Sequence, residues 1–310
     1  VSEVGKGRKF TAGAIAILCL VYGIVHLQVA RLELGAGAIE RRAAIEWGAV
    51  GVPLASLKGT APFPWQQRLA VYPAVGLLLR AGLGPAEALS LFKTITLCLW
   101  LLALDWYLAI WFPSPASRSA GLAAASLFSI EAVPWYVFSA DDFLFLAAAT
   151  LFLRMVLRGE HGRWLVPLTL LGVLAKETFL TIFLVPLLGG TPGRRLRGGP
   201  ILAALAAGVT LALAVRVLPP GDWSETQFKF PGNLLDRRLV TLVPLAGLLA
   251  ASLGWRRRST IRADLDSLLP WLAFYLLLII AAGMPAEVRI WFPTLLFALP
   301  LLVERLSPAR

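Results

Sequence analysis

Charge is scarce in this sequence. Asp, Glu, Lys and Arg make up 15% of the 310 residues, while 58% are hydrophobic. Soluble domains carry about a quarter charged residues and roughly half apolar, so this balance excludes an ordinary soluble domain. Sulfur and imidazole are scarcer still. The two cysteines, Cys19 and Cys98, fall inside apolar runs, and the two histidines, His26 and His161, stand far apart. That spacing offers neither a disulfide framework nor a metal motif. Acidic residues are short too, 18 against 29 basic, for a formal net charge of +11. The basic residues flank apolar runs and do not alternate with aromatics. This is the pattern of topology signals and anionic-lipid contacts, and it speaks against nucleic-acid binding. No internal repeat or low-complexity linker divides the chain, so residues 1–310 read as one membrane domain.

Apolar length is what the chain has in excess. Its mean hydropathy is +0.75. Several runs approach or exceed the roughly 18–20 apolar residues that cross a bilayer. Backbone in lipid must satisfy its own hydrogen bonds, and helices do so. The expectation is an all-α polytopic integral membrane protein with about ten membrane-embedded helices. Helices are expected near 10–30, 89–112, 119–138, 142–157, 200–217, 239–254, 268–283 and 290–304, with a further region at 164–190. The first is read as a retained helix. Its apolar part is too long for a signal peptide, and no A-x-A site follows.

Arginines orient the spans. Lys6, Arg8 and Lys9 precede the first helix, which places the N-terminus in the cytoplasm. The loops "RGEHGR", "TPGRRLRGG" and "GWRRRSTIRAD" belong on the same side by the same rule. Both ends of 164–190 are therefore basic and cytoplasmic. That region is expected to enter and return as two short helices meeting near "AKET", a hairpin shielded by protein. Residues 31–87 then form the first external loop. It holds the amphipathic "AIERRAAIEWGAV" and a short run near 69–82 interrupted by Pro73 and Arg80, both suited to the membrane surface.

With this orientation the outer side collects Glu33, Glu40, Glu46, Asp141, Asp142, Glu177, Asp222, Glu225, Asp236 and Glu287. Loop polarity accounts for Asp222, Glu225 and Asp236. Ionisable groups at membrane depth are expensive and mark function by default. Glu40, Asp141, Asp142, Lys176, Glu177, Glu287 and Arg289 are the functional candidates. Asp105 and Glu131 suit an interhelical hydrogen bond as well as a site. Tryptophans at span ends, such as Trp111, Trp135, Trp255 and Trp291, match an interfacial belt.

Four stretches together resemble a known group. "APFPWQQRLAVYP" is similar to the R-x-x-x-x-P element that follows the first external loop in GT-C superfamily glycosyltransferases. "FSADDFLFLAAATLFLR" resembles their segment with Asp at the outer end of a helix. "LLGVLAKETFL" looks like their Lys-Glu element between short helices, and "PAEVRIWFPTLLFALPLL" like an E-x-R-x-x-x-P element opening a late helix. Their order and spacing match over most of the chain.

The resemblance implies a GT-C-like fold and transfer of a sugar from a polyprenyl-phosphate carrier. The acceptor would lie on the outer side of a bacterial inner membrane. By position, the catalytic acid of the first external loop would be Glu40, with Glu46 or Glu33 as alternates. Many members have Asp there, often in an acidic pair; here the glutamates are flanked by Arg41 and Arg42. The chemistry is coherent. A carboxylate takes the acceptor's proton, and Arg68, Lys176 and Arg289 are candidates to stabilise the departing phosphate. Asp141 and Asp142 are candidates for a divalent cation or the acceptor's hydroxyls. A second reading is a GT-C-like subunit that has lost catalysis and serves as a scaffold among membrane-protein partners. A third, a transporter or flippase, would call for paired broken helices in two repeats.

Overall fold

A computed structural model describes residues 3–33, 71–133, 142–160, 162–189, 198–217, 243–282 and 291–307. Among them every regular element is helical: α1 Glu3–Glu33, α2 Tyr72–Arg80, α3 Pro85–Leu108, α4 Pro115–Glu131, α5 Asp142–Arg158, α6 Leu165–Ala175, α7 Leu184–Leu188, α8 Gly198–Val217, α9 Val243–Arg256, α10 Arg262–Asp266, α11 Leu269–Ala282 and α12 Phe292–Leu306. Short 3₁₀ segments, Gly162–Trp164 and Glu177–Phe183, flank α6. Among the described residues three stretches are long and apolar enough to cross a membrane: Thr11–Leu32, Pro85–Leu108 and Gly198–Val215.

Prolines set several starts. Pro85 and Pro115 stand in the first turn of α3 and α4, where the missing N–H costs nothing. Helix α4 therefore starts earlier than the expected 119–138, because Pro115 opens it. Glycine ends α5. Gly159 takes φ 64°, and the Glu160 N–H reaches back to the Met155 carbonyl. Both belong to a left-handed cap that turns the chain sharply toward α6.

The antiparallel α1 and α3 are locked in register. Arg31 pairs with Glu87, His26 Nδ1 lies 2.7 Å from Ser90 Oγ, and Gly23 abuts Thr94. The same register brings the thiols of Cys19 and Cys98 into contact. Both are free thiols. Helix α5 runs parallel to α3. Arg154 donates to the Trp106 carbonyl and Arg158 to the Ile110 carbonyl, each 48 positions apart.

The end where α3 finishes is rich in arginine and heavily tied. Arg118 binds Asp105 at 2.6 Å and the Phe112 and Pro113 carbonyls. Asp105 is therefore an interhelical partner. Trp111 Nε1 donates to Asp264, Arg256 pairs with Asp266, and Glu304 accepts from Ser259 and Thr260.

Apolar side chains face outward in stripes. Leu91, Ile95, Leu99, Leu102 and Trp106 recur along one exposed face of α3. On α1, Ile17, Leu20 and Ile24 do the same. Meanwhile His26, Ser90, Lys93 and Asp142 are buried. Helices with greasy outsides and polar residues inside suit lipid, not water.

Candidate functional site

The site begins at the break inside "LAKETFL". Helix α6 ends at Ala175, and Lys176 is extended (φ −163°, ψ 122°) before the 3₁₀ segment Glu177–Phe183. The chain then folds back on itself. Gly172, bare of a side chain, lets the Phe179 ring press against α6, and Gly208 of α8 sits against Thr169, Val173 and Leu180 together. After α7, Gly189 reaches the Ser267 carbonyl. Ser267 follows Asp264, which Trp111 holds at the arginine-rich end. Helix α6 starts at that same end, one tight turn after Arg158. The segment thus leaves the arginine-rich end and comes back to it, with Lys176 at the turn.

There Lys176 Nζ donates to Asp142 Oδ1 at 3.0 Å, the side chains only 12% and 11% exposed. Asp142 opens α5. The constant offset between α3 and α5 puts it level with Thr94, about 10 Å of helix inside the Arg31–Glu87 end. Phe145 lies beneath the ammonium at 5.9 Å from the ring centroid, in cation–π range. Asp142, Phe145, Leu146, Lys176, Tyr275, Phe292 and Pro293 line a narrow recess with no room for a water molecule.

Three aromatic rings adjoin it. Trp100, Phe143 and Phe292 are mutually 5.8–6.1 Å apart with planes within 15–17° of parallel. The three rings stack in offset fashion, and all three are buried. Tyr22 meets the Phe143 edge at 5.5 Å and stacks on His26 at 5.7 Å. Two buried polar atoms here lack a hydrogen-bond partner, Trp100 Nε1 and Thr178 Oγ1.

Of the predicted site residues, the structure brings Asp142 and Lys176 together. Glu177 starts the 3₁₀ segment beside them. Glu40, Glu46, Arg68, Asp141, Glu287 and Arg289 lie outside the described residues. Sequence reasoning passed over Phe145, Tyr275 and Phe292, which line the recess, and over the buried Lys93. Lys93 was the findable one, a lone lysine within a span-length apolar helix. Among the described residues no group of three or more His, Cys, Asp or Glu side chains is placed to hold a metal.

These features define a class: an all-helical bundle with membrane-length helices and a buried ion pair at a break between short helices. No protein-family model, curated protein or solved structure matches the chain.

Proposed function

We propose that the protein is a membrane glycosyltransferase of GT-C type. It moves a sugar from a polyprenyl-phosphate donor to an acceptor at the outer side of a bacterial inner membrane. The observation that supports this reading most is the buried Lys176–Asp142 pair at a helix break. A protein pays several kcal/mol to desolvate two such charges, and structure alone is served as well by apolar side chains. In this reading Asp142 holds the Lys176 ammonium in place. The ammonium then meets the phosphate oxygen that gains charge as the glycosidic bond breaks. Arg68 and Arg289 would add cations, Glu40 (or Glu46) would take the acceptor proton, and Asp141, Glu177 and Glu287 are the remaining candidates for binding substrate.

The test is sugar transfer by the purified protein in proteoliposomes, using prenyl-phosphate-linked sugars. Lys176→Gln should lower the rate about 100-fold or more, as loss of one preorganised donor does. Full activity in Lys176→Gln would overturn its role at the phosphate. Unchanged transfer in Glu40→Gln would remove Glu40 as the base.

One observation favours the second reading, an inactive GT-C-like subunit. The recess leaves no room for even a water molecule, whereas ordinary ligand sites hold roughly 300–1,000 Å³. Transfer by the isolated chain would end that reading.

A further inference from the structure

Helix α3 reaches the arginine-rich end with an indole at its surface. Trp106 closes a row of exposed apolar side chains, Leu91, Ile95, Leu99 and Leu102, that runs along α3. From Ile95 to Trp106 the row covers about 16 Å of helix, roughly half the thickness of a bilayer's hydrocarbon core. That is the depth of one lipid leaflet. Trp106 therefore marks the headgroup level, where tryptophan collects.

At that level α5 presents two arginines one turn apart. The Arg154 guanidinium lies over the Trp106 ring, 4.0 Å from its centroid. Arg154 Nη1 donates to the Trp106 carbonyl, and Arg158 Nη2 donates to the Ile110 carbonyl. These bonds close off carbonyls at the end of α3, which accounts for one nitrogen of each fork. Arg154 Nη2 and Arg158 Nη1 make no bond to the described residues, and neither is enclosed.

The two cations also lack a carboxylate. At the same end Arg118 pairs with Asp105, and Arg256 and Arg262 pair with Asp266. Among the described residues Arg154 and Arg158 form no such pair. They repel each other, and the attraction of Glu160 reaches Arg154 only from beyond pairing distance. Like charges one turn apart destabilise a helix. A single anion between them would remove the repulsion.

We propose that Arg154, Arg158 and Trp106 hold the headgroup of an acidic phospholipid. Its phosphate sits between the two outward nitrogens and accepts charge-assisted hydrogen bonds from both arginines. One acyl chain lies along Leu102, Leu99 and Ile95. That apolar row commits the site to a lipid, because free phosphate has no use for it. Charge favours an acidic lipid over a zwitterionic one, whose own cation would meet two guanidinium groups. The site lies at the opposite end of α5 from Asp142. It stands whether or not the chain transfers sugar.

The test is native mass spectrometry of the full chain in detergent, titrated with phosphatidylglycerol or phosphatidylcholine of equal chain length. The wild-type chain should hold one phosphatidylglycerol about 10-fold more tightly than phosphatidylcholine, from the attraction of two basic residues for net negative charge. Arg154→Gln/Arg158→Gln should weaken phosphatidylglycerol about 10-fold, the worth of one charge-assisted hydrogen bond or more. Arg257→Gln/Arg258→Gln removes the same charge from exposed side chains beside Arg256. It should change binding by less than about 2-fold, since solvent screens such charges. Arg158→Gln alone keeps the Arg154–Trp106 stack and is the milder form of the test, with part of the preference lost. Thermal unfolding without added lipid checks the fold of each variant.

Equal retention of the two lipids by the wild-type chain overturns the proposal, whatever the variants do. Equal losses in both double variants overturn the site and leave only a general attraction between a basic chain and acidic lipid. Inorganic phosphate that displaces phosphatidylglycerol at equal concentration overturns the lipid as occupant.

Discussion

Lys176 and Arg31 make ion pairs of similar length, 3.0 and 2.7 Å, yet their surroundings differ. Arg31 and Glu87 are 54% and 37% exposed, and exposed pairs contribute about 0–1 kcal/mol. The Lys176–Asp142 pair is nearly enclosed. Removing one partner there leaves the other charge buried and costs about 3–5 kcal/mol. Lys176→Met should therefore lower the thermal midpoint in detergent clearly, and Arg31→Met hardly at all. The double variant Lys176→Met/Asp142→Asn should recover much of the loss, since no bare charge remains. A double variant as unstable as the single would show that Lys176 acts through packing. At this scale the sequence was partly legible. Lys176 and Asp142 stood out because charge in an apolar run is costly wherever the run folds. Their pairing was hidden, because α5 and α6 contribute one partner each. Phe145 and Phe292 were invisible as residues lining the recess, since aromatics fill spans for ordinary reasons.

The hairpin element depends on one glycine. Helix α6 breaks at Lys176, and the returning strand of chain presses Phe179 where a Gly172 side chain would stand. Phe179 has no retreat. It is fully buried and meets the edges of Phe145 and Phe152 at 6.1 and 5.8 Å. Two effects oppose each other in Gly172→Ala. Helix propensity favours alanine by about 1 kcal/mol, while overpacking a tight contact costs about 1–3 kcal/mol. The contact here is with a locked ring, so the steric term should win and the variant should melt lower. Gly13→Ala is the control, because nothing lies within 4 Å of its added carbon. It should be neutral or slightly stabilising. Equal behaviour of the two variants would mean that Phe179 can move aside. The break at "AKET" was legible from arginines at both ends of 164–190 and from a length too great for one plain span. The 3₁₀ form of Glu177–Phe183 was not legible, because it follows from the contact with Gly172 across the turn.

At the scale of the bundle, composition specified helices and lipid but not neighbours. Apolar runs mark where helices fall, and α3, α8 and α11 sit near their expected positions. Which faces meet depends on small details. Gly23 against Thr94, His26 on Ser90 and the Arg154 and Arg158 bonds to α3 carbonyls fix who packs with whom. The consequence is an arrangement with both ends of 162–189 at the arginine-rich end. This has a direct test in vesicles of one orientation. Arg163→Cys and Arg194→Cys, made separately with Cys19 and Cys98 replaced by alanine, should react with a membrane-impermeant maleimide from the same face. A single span through 162–189 would put them on opposite faces. Labelling from opposite faces would thus discard the hairpin. It would also strip the Lys176–Asp142 pair of its place at a turn, the feature from which its proposed work on a phosphate follows.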